Sequence, residues 1–370
     1  MTMQARNLQP IRQQPWDWAT KNEYEEVTLR EQPYIHGHYR NKYYKPDYDI
    51  YDPRYTRVRV RDWEAFRDPK KLWYQTYVMT RKKMADEVEA LFERAGKLAI
   101  YERVDPAWRK FSLAFYTPLR HYEYAGAVQL QHVVRYAMGC PIEQAATYTA
   151  FDKQGRAQWL STWALEFAGG EGLQALQHAR QLWLEDESYD KLRSYMEHVL
   201  VTDDWVEVLV ALHLAIEPIL DRLAYEQLNA ISIEHGDPVL AELALICSEQ
   251  VQWQENWTAS LFQLIATDPT TSRWDYLKSL GYEDWPGDYR WGRTLSNPKS
   301  TPEETLTNQE IMSQWASKWI SRAIQAVTPL QSLLDRHGIS CAVEPVMERA
   351  MASYILPTLE KCGIDVKISV

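Results

Sequence analysis

Two pairs of positions in this chain stand at spacings that matter for chemistry on helices. Glu123 is followed thirty residues later by Lys153, with Arg156 three beyond it. Glu217 is followed thirty-two residues later by Glu249, with Gln252 three beyond it. Residues three apart on a helix share a face. A carboxylate on one helix, answered by a glutamate and a histidine three residues apart on the next, is the ligand frame of di-metal carboxylate bundles, where it is used twice. Here no glutamate has a histidine three residues later. In that frame Lys153 takes a ligand-glutamate position and Arg156 a ligand-histidine position. Glu249 is retained, and Gln252 replaces the second histidine. Ammonium and guanidinium groups only donate hydrogen bonds. They repel a metal cation and can instead neutralise Glu123, Glu217 or Glu249. A buried charge must be paired or it costs several kcal/mol, so the spacing predicts a metal-free centre closed by an ion-pair network. Two alternatives stay open: these charges face solvent, or a metal site survives with His213, four residues before Glu217.

Other chemical motifs are few. His36-x-His38 has a metal-ligand spacing but stands alone in a tyrosine-rich stretch. No G-x-S-x-G, P-loop or G-x-G-x-x-G occurs. Asp203-Asp204 reads as a helix N-cap pair rather than a catalytic dyad. Cys140, Cys247, Cys341 and Cys362 form no C-x-x-C pair, and cysteines this sparse fit a reducing cytoplasm. No catalytic residue and no cofactor-binding motif is assigned.

The elements that must carry these residues are helices. Gly is scarce, 14 of 370 residues, which disfavours many tight turns. Asp68-Pro69, Asp105-Pro106 and Asp237-Pro238 each place a capping oxygen before a proline suited to a first helical turn. These marks and the apolar spacing predict helices over 70–95, 106–138, 142–168, 172–186, 189–201, 204–235, 238–267, 309–337 and 345–361. Pro118, Pro218 and Pro329 fall inside three of them and should kink or break them; Pro118 could separate two helices. Four long segments in two consecutive pairs predict a four-helix bundle with a long crossover.

The net charge of −10 disfavours nucleic acid. The most apolar stretch, 206–220, is too short and too charged to span a membrane. Residues 1–70 are slightly basic and the rest of the chain carries the acidic excess. Residues 1–67 show no helical period but hold Tyr34, Tyr39, Tyr43, Tyr44, Tyr48, Tyr51 and Tyr55, with Trp63 beyond them. Tyrosine, tryptophan and arginine are enriched at interface hot spots. The organisation expected is an extended arm for subunit contacts (1–67), a helical bundle (68–280), and a loop with further C-terminal helices (281–370).

Several ordered segments resemble one family. They are Asn22-Glu23-Tyr24-Glu25-Glu26-Val27-Thr28, Asp62-Trp63-Glu64-Ala65-Phe66-Arg67-Asp68-Pro69 and Tyr74-Gln75-Thr76-Tyr77. Thr117-Pro118-Leu119-Arg120, Asp204-Trp205, Glu217-Pro218 and Trp315-Ala316-Ser317-Lys318-Trp319 follow in order. Over most of its length the chain resembles the β (small) subunit of the hydroxylase of bacterial multicomponent di-iron monooxygenases, the soluble methane, phenol, toluene and alkene monooxygenases. Residues 339–370 match nothing in it. The resemblance implies an all-α, ferritin-like long-helix bundle with an N-terminal arm and extra C-terminal helices. It implies a non-catalytic structural subunit without a cofactor of its own, in the cytoplasm. The di-iron centre would lie in a partner α chain that oxidises hydrocarbons or aromatics with O2. Implied partners are the α and γ subunits in an α2β2γ2 hydroxylase, a coupling protein and a reductase. Two other readings compete: a self-sufficient metal enzyme using Glu123, Glu217, Glu249 and His213, and an unrelated helical scaffold.

Overall fold

The computed structural model describes residues 23–30, 53–269 and 306–368. Among these, the regular elements are helices and there is no strand. In chain order they are α1 (Glu23–Arg30), α2 (Tyr74–Lys97), α3 (Pro106–Tyr136), α4 (Cys140–Phe167), α5 (Gly172–Glu185) and α6 (Glu187–Leu200). A continuous helical run, α7, covers 205–234, followed by α8 (Pro238–Thr267), α9 (Asn308–Val327), α10 (Leu330–Arg336) and a last run, α11, over 343–362.

Capping oxygens set the starts of the long helices. Asp105 accepts from the backbone N–H groups of Ala107 and Trp108, ahead of Pro106. Asp237 accepts from that of Leu240, ahead of Pro238, and Asp204 from those of Val206 and Glu207. Asp68 does not start a helix. Its buried carboxylate instead holds the turn at Lys70 and Leu72 and the Trp253 indole, so α2 begins at Tyr74 rather than near residue 70. Between α3 and α4 the chain reverses through Gly139, at φ +99°; a Cβ there would stand 3.1 Å from the Trp63 carbonyl oxygen.

Prolines act differently from expectation. Pro118 neither ends nor divides α3, which runs unbroken for 31 residues. Proline at 118 removes the donor that would serve the Ala114 carbonyl. The Tyr189 hydroxyl of α6 replaces it, at 2.8 Å from that oxygen. Pro218 is absorbed by widened turns: α7 carries π-helical stretches at Val210–Ile216 and Arg222–Gln227. There the Tyr195 and Tyr116 hydroxyls donate to the carbonyls of Ala211 and Ala224, both at 2.7 Å. Only Pro329 breaks a helix, separating α9 from α10.

Helices α3, α4, α7 and α8 form the bundle, with α7 buried along most of its length. One apolar core runs through the described residues from Tyr55 onward. It includes Tyr55, Val58, Val60, Trp63 and Phe66, so residues 55–66 are packed into the body rather than belonging to a separate arm. It also includes α9, whose Trp319 lies edge-on to Tyr195 with centroids 5.2 Å apart. Buried Asn308 ties the ends together: it accepts from the Arg59 N–H and donates to the carbonyls of Arg59 and Ile265.

Tyr189→Phe leaves the Ala114 carbonyl buried without its donor and should cost about 1–3 kcal/mol. Urea unfolding would read this loss, whereas Tyr124→Phe, on the exposed face of α3, should shift the midpoint negligibly.

Candidate functional site

Each bundle helix sends polar side chains to one point. From α3 comes Glu123, from α4 come Lys153 and Arg156, from α7 come His213, Glu217, Asp221 and Tyr225, and from α8 come Gln250 and Gln254; all are buried. The Lys153 Nζ lies 3.0 Å from Glu123 Oε2 and 2.8 Å from Glu217 Oε1. The first contact is a directed hydrogen bond; the second is an ion contact at an unfavourable angle. Arg156 grips Glu123 with two parallel bonds, Nε to Oε1 at 2.9 Å and a terminal nitrogen to Oε2 at 3.0 Å. Its other terminal nitrogen reaches Gln250 Oε1 at 3.3 Å. The Tyr225 hydroxyl donates to Glu123 Oε1 at 2.9 Å. Gln254 donates to Glu217 Oε2, and His213 Nδ1 pairs with Thr258 Oγ1 at 2.8 Å.

Lysine can cross from α4 to both carboxylates because α3 makes room. Gly126, three residues beyond Glu123, lies under its stem; a Cβ there would fall 2.9 Å from Lys153 Cδ. The ammonium also sits 5.1 Å from the centroid of the Tyr122 ring, a cation–π distance.

Protonation follows from this crowding. Burial alone would raise the Glu123 carboxyl, but the charges of Arg156 and Lys153, with their hydrogen bonds, outweigh it and hold it at about 2. Asp221 is pushed well above the carboxylate range, first by burial and then by the Glu123 charge; its Oδ2 has no hydrogen-bond partner. Burial lowers the His213 imidazole to about 4. Burial thus favours the uncharged forms of Asp221 and His213, while the Glu123 and Glu217 side chains contact Lys153 and Arg156.

The residues present do not fit a di-metal centre. A carboxylate has about four acceptor sites, and Glu123 already receives four donors. Lys153 Nζ lies within 3.0 Å of both carboxylates that would have to bridge or flank the ions. Among the described residues, no group of three or more His, Cys, Asp or Glu side chains is arranged to hold a metal ion.

The sequence placed some of these positions wrongly. Glu249 and Gln252 are exposed. They lie beside the inward face of α8, whose buried stripe runs through Leu243, Cys247, Gln250, Gln254, Trp257 and Leu261. Extending that stripe from the apolar positions identifies Gln250 and Gln254 instead. Because Glu249 is absent from the centre, Glu123, Glu217, Glu249 and His213 do not converge as a ligand set. Asp221 and Tyr225 were missed, although their four-residue steps from Glu217 put them on its face. Tyr55 and Trp63, expected at a partner interface, are buried in this chain's own core. Tyr55 packs on Tyr136 at 4.3 Å and Trp63 on Trp205 at 5.1 Å between centroids. Tyr34, Tyr39, Tyr43, Tyr44, Tyr48, Tyr51, His36 and His38 lie outside the described residues.

Comparison with known proteins decides the family. Residues 44–269, more than half of the chain, match the family described as Methane/Phenol/Alkene Hydroxylase. The chain belongs to the methane/phenol/alkene hydroxylase family. It is 27% identical over 341 residues to the phenol 2-monooxygenase oxygenase component DmpL of Pseudomonas sp. strain CF600, covering 92% of this chain and 89% of that one. It is 26% identical over 219 residues to the β subunit of the toluene-4-monooxygenase hydroxylase of Ectopseudomonas mendocina, covering 56% and 64%. Its fold matches phenol hydroxylase from Pseudomonas sp. OX1 with TM-score 0.75 at 22% identity, over 94% of this chain and 92% of that one. It also matches toluene 4-monooxygenase, with TM-score 0.67 at 20% identity, over 87% and 98%. This family member thus has the ferritin-like helical fold of the hydroxylases of multicomponent di-iron monooxygenases. No helix among its described residues is long and apolar enough to cross a membrane.

Two predictions come from the centre. Lys153→Ala leaves Glu123 and Glu217 facing each other with one cation fewer and should destabilise the chain by about 3–5 kcal/mol in denaturant unfolding. The pH dependence has opposite signs for different groups. The depressed pKa values of Glu123 and His213 contribute stability at neutral pH that is lost on acidification, His213 from about 6.5 towards 4 and Glu123 from about 4.5 towards 2. The raised Asp221 favours the fold at low pH and loses that contribution as pH climbs above 3.8. Asp221→Asn should therefore gain stability relative to the parent as pH rises, measured by melting temperature between pH 5 and 9.

Proposed function

We propose that this chain is the non-catalytic small, β-type subunit of a di-iron monooxygenase hydroxylase. The observation that carries this reading is the Lys153 ammonium between Glu123 and Glu217, with Arg156 closed on Glu123. Iron and its oxygen chemistry then reside in a larger partner chain. This chain contributes a rigid helical body on which that partner is assembled.

Named relatives support the same division. Toluene-4-monooxygenase has a hydroxylase component called subunit beta, and the propane 2-monooxygenase relative of Mycolicibacterium smegmatis is called a hydroxylase component small subunit. Two phenol 2-monooxygenase oxygenase components match 92% and 96% of this chain, so we assign the complex to hydroxylation of phenolic or related aromatic substrates. Gamma subunits in an α2β2γ2 assembly, a coupling protein, a reductase and a cytoplasmic location complete the reading.

The experiment is to express the chain alone and together with a larger oxygenase subunit from the same genome, supplying ferrous iron in both cases. Iron should accompany the larger chain and stay well below 0.1 per chain in the smaller one alone. One or two iron ions per isolated chain, removed by Glu123→Ala, would overturn the assignment.

A further inference from the structure

Helices α3 and α4 are built inside out. Between Gln144 and Leu165 of α4 the charged residues are Asp152, Lys153 and Arg156, and all three are buried. Between Arg120 and Arg135 of α3 the only one is Glu123, also buried. The outward side of this helix pair therefore carries no Asp, Glu, Lys or Arg over these spans, in a protein where such residues make up 25% of the chain. It carries exposed apolar side chains instead: Tyr124 is 59% exposed, Val128 38% and Phe151 53%. Gly155 adds an open notch, since a Cβ there would meet nothing within 4 Å.

The first two turns of α2 prolong this surface. Tyr77 stacks on Tyr148 of α4 at 4.2 Å, and its hydroxyl bonds Asp152 at 2.9 Å. That contact brings the uncharged run 74–80 alongside α4, with Tyr74 64% and Val78 41% exposed. Arg81 closes the run by turning inward, its terminal nitrogen 2.6 Å from Asp152.

We propose that this three-helix face is where the larger hydroxylase subunit docks, an inference that rests on the β-type reading above. Charge depletion with enrichment of aromatic residues marks the core of protein interfaces, whereas isolated exposed apolar residues are ordinary. Size agrees. The runs 74–80, 121–134 and 145–164, on helices of about 10 Å width at 1.5 Å rise, present about 600 Å2, the lower end of the share each partner buries in a standard stable interface. The neutral amides and hydroxyls beside the aromatic residues, Gln154, Gln158 and Thr162, suit a partner surface that is itself helical, apolar and uncharged. The inward turn of Lys153 and Arg156 serves two purposes: the same charges that fill the bundle centre are withheld from the docking face, while Asp152 is taken up by Arg81 and Tyr77.

The test uses the full chain co-expressed with a larger oxygenase subunit from the same genome and purified through a tag on that subunit. Val128→Glu combined with Phe151→Glu should weaken association at least tenfold, while the melting temperature of the small chain alone stays within a few degrees of the parent. Leu356→Glu, at a residue 44% exposed on α11, which packs against α7 and α8, should assemble like the parent. Undiminished assembly of the double variant overturns the docking face and leaves the β-type reading intact. Failure of the unaltered chain to capture the larger subunit overturns that reading itself. If the unaltered chain alone is a dimer that the double variant splits, a second copy is the occupant. If the double variant melts far below the parent, the face is covered from within the same chain.

Discussion

An ammonium group removed from water is stable only where fixed negative charge compensates its lost hydration. In this protein that condition is met by one contact set: Lys153 between Glu123 and Glu217, with Arg156 closing on the other side of Glu123. Much of the bundle geometry answers to it. Helices α3, α4 and α7 must approach closely enough for a single lysine to touch two of them. Gly126 must lack a side chain for the lysine stem to pass, and Tyr225, Gln250 and Gln254 must fill the acceptors and donors left over. Burial and the Glu123 charge favour the protonated form of Asp221 beside them.

The same arrangement accounts for the mode of stabilisation. A metal-holding bundle is drawn together by shared ligands; here two salt-bridged cations span the same helices. Such a centre is sensitive to the loss of one partner, because what remains is an uncompensated buried charge. Widened turns in α7 and tyrosine hydroxyls that serve freed carbonyls at Ala114, Ala211 and Ala224 let the surrounding backbone tolerate prolines and π-helical turns. Rigidity around the centre comes from these side-chain bridges between helices as much as from apolar packing.

Charge placement also connects the centre to the exterior. A helix that turns Asp152, Lys153 and Arg156 inward has few charges left for its other side, and α4 fills that side with amides, hydroxyls and aromatic rings. Internal neutralisation and an uncharged outer face are thus two consequences of one sequence pattern.

From α2 onward the helix order, the capping aspartates at 105, 204 and 237 and the four long segments were legible in the sequence, because capping chemistry and apolar spacing are local, whereas Asp68 capped no helix and α1 went unread. So were Glu123, Lys153, Arg156 and Glu217 as members of one frame, since thirty-residue returns and three-residue steps are properties of helices. Tertiary structure decided the rest. The rotation of α8 about its axis is set by burial of Cys247, Trp257 and Leu261 in the core; it brought Gln250 and Gln254 to the centre and left Glu249 and Gln252 outside. Whether Pro118 breaks α3 depended on a tyrosine over seventy residues away. Tyr55 and Trp63 became core residues because long-range contacts with α3 and α7 enclosed them, and no local pattern distinguishes an aromatic residue buried in its own chain from one kept for a partner.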